Sequence, residues 1–227
     1  MRNWENISGS EIIDSCIEDE NVKPRESEVE DAYKQSWLLA SKGELKLLKL
    51  YYTDGFGWYY NRKTHKLVFV LHECKVLGVG SEFKAVKFKN YKTCIRKALL
   101  QAIGYYYKIK NKQYTSFSKE LKNVAKEFDY DDVNKFIIDH FGLFLITCPN
   151  FVGHVKFSEV KDLVKELEEP IRNSEVSPSK YWNDKNSNMK QIMEAWDADE
   201  ASMIPTRDYD TSDTQKVLNE VIIEQWN

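Results

Sequence analysis

Leu67-Val68-Phe69-Val70-Leu71-His72-Glu73-Cys74-Lys75 is the stretch that decides the fold. Five strand-forming apolar residues run without interruption, which is the mark of a strand buried in a sheet. The run then ends on Glu73, with Lys75 two residues on. Side chains at i and i+2 of a strand leave from the same face, so a carboxylate and an ammonium arrive side by side at the strand end. Charges are costly there unless they are paired or hold a metal. His72 falls on the opposite face from Glu73 and reads as a surface or supporting group.

The spacing alone carries little. Glu-x-Lys occurs five times, at 44–46, 73–75, 82–84, 120–122 and 159–161. Only 73–75 closes an apolar run. Upstream of it, Asp54 stands in Thr53-Asp54-Gly55, where residues 56–60 predict a second strand, and 61–66 (NRKTHK) a turn. Further upstream, Leu45, Leu47 and Tyr51 suit a first strand, with a helix as the alternative for this stretch. Before that, Val29, Ala32, Tyr33, Trp37 and Ala40 make one apolar face of a helix over about 27–42, capped by Gly43.

Downstream, residues 91–109 read as the next helix, carrying Gln101 and Tyr105 one turn apart, with Lys97 on the same stripe. Three successive tyrosines, 105–107, require that at least one face away from the others. Helices are expected over 117–128 and 131–141, the latter ended by Gly142, then short strands at 143–148 and 153–157 and a charged helix at 158–169. After Pro170 the composition is that of a linker, and 213–226 forms a final amphipathic helix. This divides the chain into an acidic arm (1–25), one domain (26–170) and an acidic C-terminal segment (171–227).

The chain of 227 residues has 42% hydrophobic content, enough for one ordinary core plus tails. No apolar run approaches the roughly 20 residues of a membrane span, and the N-terminal residues lack the features of a secretory signal. Cysteines 16, 74, 94 and 148 show no paired or zinc-type spacing, which favours a reduced, intracellular setting. The net charge of −3 conceals a strong asymmetry. Residues 1–31 carry ten acids and three bases, and 168–227 thirteen and six; between them stand 24 bases against 13 acids. Nine Lys/Arg lie between 84 and 112 without a single acid. Lys84, Lys87, Lys89, Lys92, Arg96 and Lys97 therefore form the candidate phosphate-binding group. The acidic ends would shield that surface or recruit a protein partner.

Asp54, then Glu73-Cys74-Lys75, then Gln101-x-x-x-Tyr105 together resemble the PD-(D/E)xK nuclease superfamily, and the last element resembles its RecB-like branch. The resemblance covers about 26–150. It implies an α/β fold with a restriction-endonuclease-like core: a central mixed β-sheet flanked by helices, opened by a helix and three antiparallel strands, here with acidic terminal extensions. It further implies a Mg2+- or Mn2+-dependent deoxyribonuclease, with exonuclease action favoured over endonuclease action. Asp54 and Glu73 would anchor the ion with the Cys74 carbonyl, and Glu30, or less readily Glu26, would add a first-helix carboxylate. Lys75 would stabilise the charged transition state, and Gln101 and Tyr105 would sit beside the site. DNA is the expected partner, with RNA not separated from it by sequence and no membrane involved. A catalytically inactive nucleic-acid-binding module, or an adaptor, is the alternative.

Overall fold

The computed structural model describes residues 45–48, 54–61, 65–74, 88–148, 151–198 and 202–205. The expected arm, the 27–42 helix with Glu26 and Glu30, Lys75, Lys84, Lys87 and the 213–226 helix lie outside the described residues.

Six strands form one sheet in chain order: β1 (Leu45–Leu48), β2 (Gly55–Asn61), β3 (Lys66–Cys74), β4 (Phe141–Cys148), β5 (Phe151–Lys156) and β6 (Ser202–Pro205). The first three run antiparallel, β4 is parallel to β3, and β5 and β6 are antiparallel again. A mixed sheet with flanking helices is the α/β class that the sequence predicts. The parallel β3–β4 step needs a long crossover. Helices α1 (Phe88–Lys110), α2 (Lys119–Glu127) and α3 (Val133–Asp139) supply it.

Both faces of β3 are buried, from Leu67 to Cys74, which is why its sequence does not alternate apolar with polar. Leu67, Phe69 and Leu71 face α1 and α3 and join the main core; Phe69 stacks on Phe56 at 5.5 Å and meets Phe136 edge-on at 5.3 Å. Val68, Val70 and His72 face the other way.

The helices begin where their caps dictate. Ser118 Oγ accepts from the Leu121 amide, and Asp132 Oδ1 from those of Asn134 and Lys135. Gly142 does not end a helix as expected. It falls where the β3–β4 register shifts: Phe69 pairs with Phe141 but Val70 with Leu143. That extra residue lets Phe141 and Phe144 both reach the helix-facing core.

The largest correction concerns the segment after Pro170. A linker is expected there, yet it is built into the domain. Pro170 sits in the first turn of α5 (Glu168–Asn173), where its missing N–H costs little. The single helix expected over 158–169 is thereby split, and its first part, α4, spans Lys161–Glu166. A 3₁₀ segment (Pro178–Asn183) and α6 (Met189–Ala195) follow. Ile171, Tyr181, Met189, Ile192, Met193 and Trp196 are buried in the same core as the sheet. The last four stand at helical spacing, a stripe that the polar composition around it hides. Gly104 of α1 is the seat of the 3₁₀ segment: a Cβ there would come within 2.5 Å of the Tyr181 ring.

Candidate active site at the ends of β2 and β3

Pairing of Gly55 with His72 and Phe56 with Leu71 brings Asp54, one residue before β2, opposite Glu73. Asp54 is in phase with Phe56 and Trp58, and Glu73 with Leu71 and Phe69, so both carboxylates belong to the face that α1 covers. Asp54 Oδ2 accepts the Cys74 amide at 2.6 Å, which locks the two strand ends together. A carboxylate offers about four lone-pair sites, and the Cys74 amide takes one of those of Asp54. Glu73 is fully buried, and so is Cys74.

The Gln101 and Tyr105 pair projects onto this end of the sheet. Gln101 hydrogen-bonds the Tyr105 hydroxyl, and both residues are buried. Burial holds the Tyr105 phenol well above its ordinary pKa, and the charge of Glu73 raises it further, with smaller effects from Tyr114 and Asp54. Tyr105 is therefore a neutral hydrogen-bond donor at any working pH. Its neighbours turn elsewhere, as three successive helical positions must. Tyr106 packs on Phe141 and Phe157, with ring centroids at 5.1 and 5.0 Å, and Tyr107 donates to the Val164 carbonyl at 2.7 Å.

Tyr114 joins the group without having been legible in the sequence. Its phenol is pushed up to about 12, by burial first and by the Glu73 charge second. The loop that carries it is pinned to α3, since the Asn134 side chain donates to the Tyr114 carbonyl at 3.2 Å. No spacing rule links residue 114 to 73 or 105; the crossover alone brings them together.

Two expectations need correction. His72 does lie opposite to Glu73, and its full burial removes the surface reading of the two that the sequence allows. Gly55 makes this possible, because a Cβ there would stand 3.0 Å from His72 Nδ1. The basic set of α1 is also partly committed. Arg96 donates through Nε and Nη2 to the Trp196 carbonyl, at 3.1 and 2.7 Å, and so holds the C-terminal segment in place. Lys92 stands 3.9 Å from Asp197. Lys97 is exposed and lies over the Trp182 ring, 5.6 Å from its centroid. Lys89 belongs to α1, with its side chain outside the described set.

Among the described residues no group of three or more His, Cys, Asp and Glu side chains is placed to hold a metal. The fit to a divalent ion therefore rests on the Asp54 and Glu73 pair, whose hard oxygen donors suit Mg2+ or Mn2+. Magnesium keeps several waters and binds through as few as one or two carboxylates. No described helix is long and apolar enough to cross a membrane. No protein-family model matches the chain, and neither curated proteins nor solved structures give a significant match to it.

Proposed function

We propose that this chain is a metal-dependent nuclease with a restriction-endonuclease-like core, hydrolysing DNA phosphodiester bonds, with action at DNA ends favoured. One observation carries the reading. Residues far apart in sequence, Asp54, Glu73, Gln101 and Tyr105, converge on one face at one end of the sheet. The meander of three antiparallel strands agrees with the topology that the sequence resemblance implies. A fully buried acid beside a second acid supports the reading, because such burial is costly unless the charge is paired or holds a metal.

Asp54 and Glu73 would hold a divalent cation, which when bound supplies a more acidic water and neutralises charge on the phosphate. Fixing of the Asp54 carboxylate by the Cys74 amide orients that ligand in advance. Tyr105 and Tyr114, both kept protonated, can donate hydrogen bonds to a phosphate oxygen, and Gln101 holds the Tyr105 hydroxyl in position. Lys75, adjacent in sequence to the Asp54-bonded Cys74, would add the positive charge.

The test is cleavage of linear and circular DNA by wild type and Asp54→Ala, with Mg2+, Mn2+ or EDTA and with RNA in parallel. Metal-dependent cleavage of DNA is expected for the wild type alone. A wild type that cleaves neither nucleic acid ends the enzyme reading and leaves a binding module or adaptor. Equal cleavage by the variant removes Asp54 from the site.

A further inference from the structure

Trp182, near the end of the 3₁₀ segment, is partly buried and has two ammonium groups over its ring. Lys97 Nζ of α1 is 5.6 Å from the ring centroid and Lys190 Nζ of α6 is 5.8 Å away. Both lysines are exposed. Lys190 has a carboxylate, Glu194, at 3.7 Å, whereas Lys97 forms no ion pair among the described residues. The indole is held in place by its neighbour. Tyr181 is buried against Gly104, so Trp182 is presented on a fixed backbone. Lys97 also precedes Gln101 by four residues, about 6 Å along the axis. The cluster thus adjoins the Gln101 and Tyr105 end of the carboxylate site.

We propose that Trp182, with Lys97 and Lys190, is a stacking platform for an unpaired base of single-stranded DNA entering the Asp54 and Glu73 site. The proposal rests on the nuclease reading for the identity of its ligand. Both ammonium groups are exposed and lie 5.6 and 5.8 Å from the ring centre, so the phosphates flanking a base held there would find a cation. Once the two exposed lysine side chains turn from the ring to the phosphates, the indole offers its π-face to any base, so recognition would be tolerant of sequence. Lys97 and Gln101 share one stripe of α1, so a strand held at Trp182 would be led toward the Gln101 and Tyr105 end of the site. Duplex DNA keeps its bases inside the stack and cannot offer one to the ring.

The experiment measures binding of a labelled oligothymidylate of about 15 nucleotides to the full chain by fluorescence anisotropy. EDTA is present throughout, so no cleavage intervenes. Trp182→Leu is expected to weaken binding about 5- to 100-fold. Lys190→Gln should weaken it less and lower the slope of log K against log salt by about 0.7. An abasic oligonucleotide of the same length should bind the wild type as poorly as the normal one binds Trp182→Leu. Equal affinity of the wild type for normal and abasic strands overturns the platform, as does tighter binding of duplex, or of the ribonucleotide counterpart. Should Trp182→Leu fail to fold by circular dichroism, the abasic probe and Lys190→Gln decide. A wild type that binds through Trp182 but never cleaves sinks the nuclease reading and keeps the platform. Cleavage together with unchanged binding by Trp182→Leu sinks the platform alone.

Discussion

Glu73 and His72 are adjacent, both fully buried and both polar, yet they lie on opposite faces of β3 among different neighbours. Glu73 faces α1 beside a second acid and within electrostatic reach of two phenols. His72 faces the other way, beside Val70 and across from Gly55, whose missing side chain gives the imidazole its space. Polar burial by itself is therefore not a mark of a site. What separates the two faces is convergence: the Glu73 face gathers acids and hydroxyls from three separate stretches of chain.

The sharpest way to break the comparison is Glu73→Gln, which keeps shape and removes charge. Metal-dependent cleavage should fall by about 10²- to 10³-fold or more, as when one group acting on transition-state charge is lost. Folding stability in EDTA should rise, because the repulsion between two carboxylates on one face disappears. Mg2+ should raise the Tm of the wild type and leave that of the variant unchanged. A variant that loses both activity and stability would class Glu73 with the structural residues.

Gly55→Val probes the opposite face. The added side chain begins 3.0 Å from His72 Nδ1 in a layer with no slack. The expected cost is about 1–3 kcal/mol, seen as a Tm drop of about 2–4 °C per kcal/mol for a chain of this size. If the backbone holds, Mg2+ should still raise the variant's Tm, because Asp54 and Glu73 leave from the other face. Loss of that metal-dependent shift would show that the two faces are not independent.

Legibility in the sequence follows the same division. Strands β2 and β3 and helix α1 could be read because local periodicity and turn residues fix them, and the Glu73 phase follows from counting along one strand. Tyr114 could not be read, since its place beside Glu73 depends on how the α1–α2 crossover returns. Nor could the docking of residues 171–198. Met189, Ile192, Met193 and Trp196 do stand at helical spacing, but what this segment docks against depends on Gly104 and Arg96 in a distant helix. Arg96 reads as a phosphate-binding residue from charge alone, yet its guanidinium serves a carbonyl. Arg96→Ala should accordingly lower stability by about 1–2 kcal/mol, near the low end for a charged donor because the group is half exposed. Thermal denaturation checks this, and limited proteolysis should show earlier cutting within 183–198. A change in DNA affinity without any loss of stability would restore the surface role.

The smallest effect expected is one of pH, and it too belongs to the face away from α1. His154 of β5 pairs with Leu145, which pairs with His72, so both imidazoles lie on that face two strands apart. Burial lowers the His154 pKa, the charge of Lys156 lowers it further, and Glu159 opposes weakly. Its Nδ1 has no hydrogen-bond partner among the described residues. The folded chain therefore prefers the neutral ring, while the unfolded chain takes a proton near pH 6.5. Between that pH and the lower folded value the unfolded state binds more protons, so stability rises with pH. Acidification through about 6.5 should lower the Tm, levelling off once the folded ring is also protonated. His140, lowered mainly by burial against the partial opposition of Asp139, adds to the same slope. His154→Gln should flatten the Tm profile between about pH 5 and 7 and leave the Glu73 face untouched. An unchanged profile would assign the acid sensitivity to His140 or to groups on the carboxylate side of the sheet.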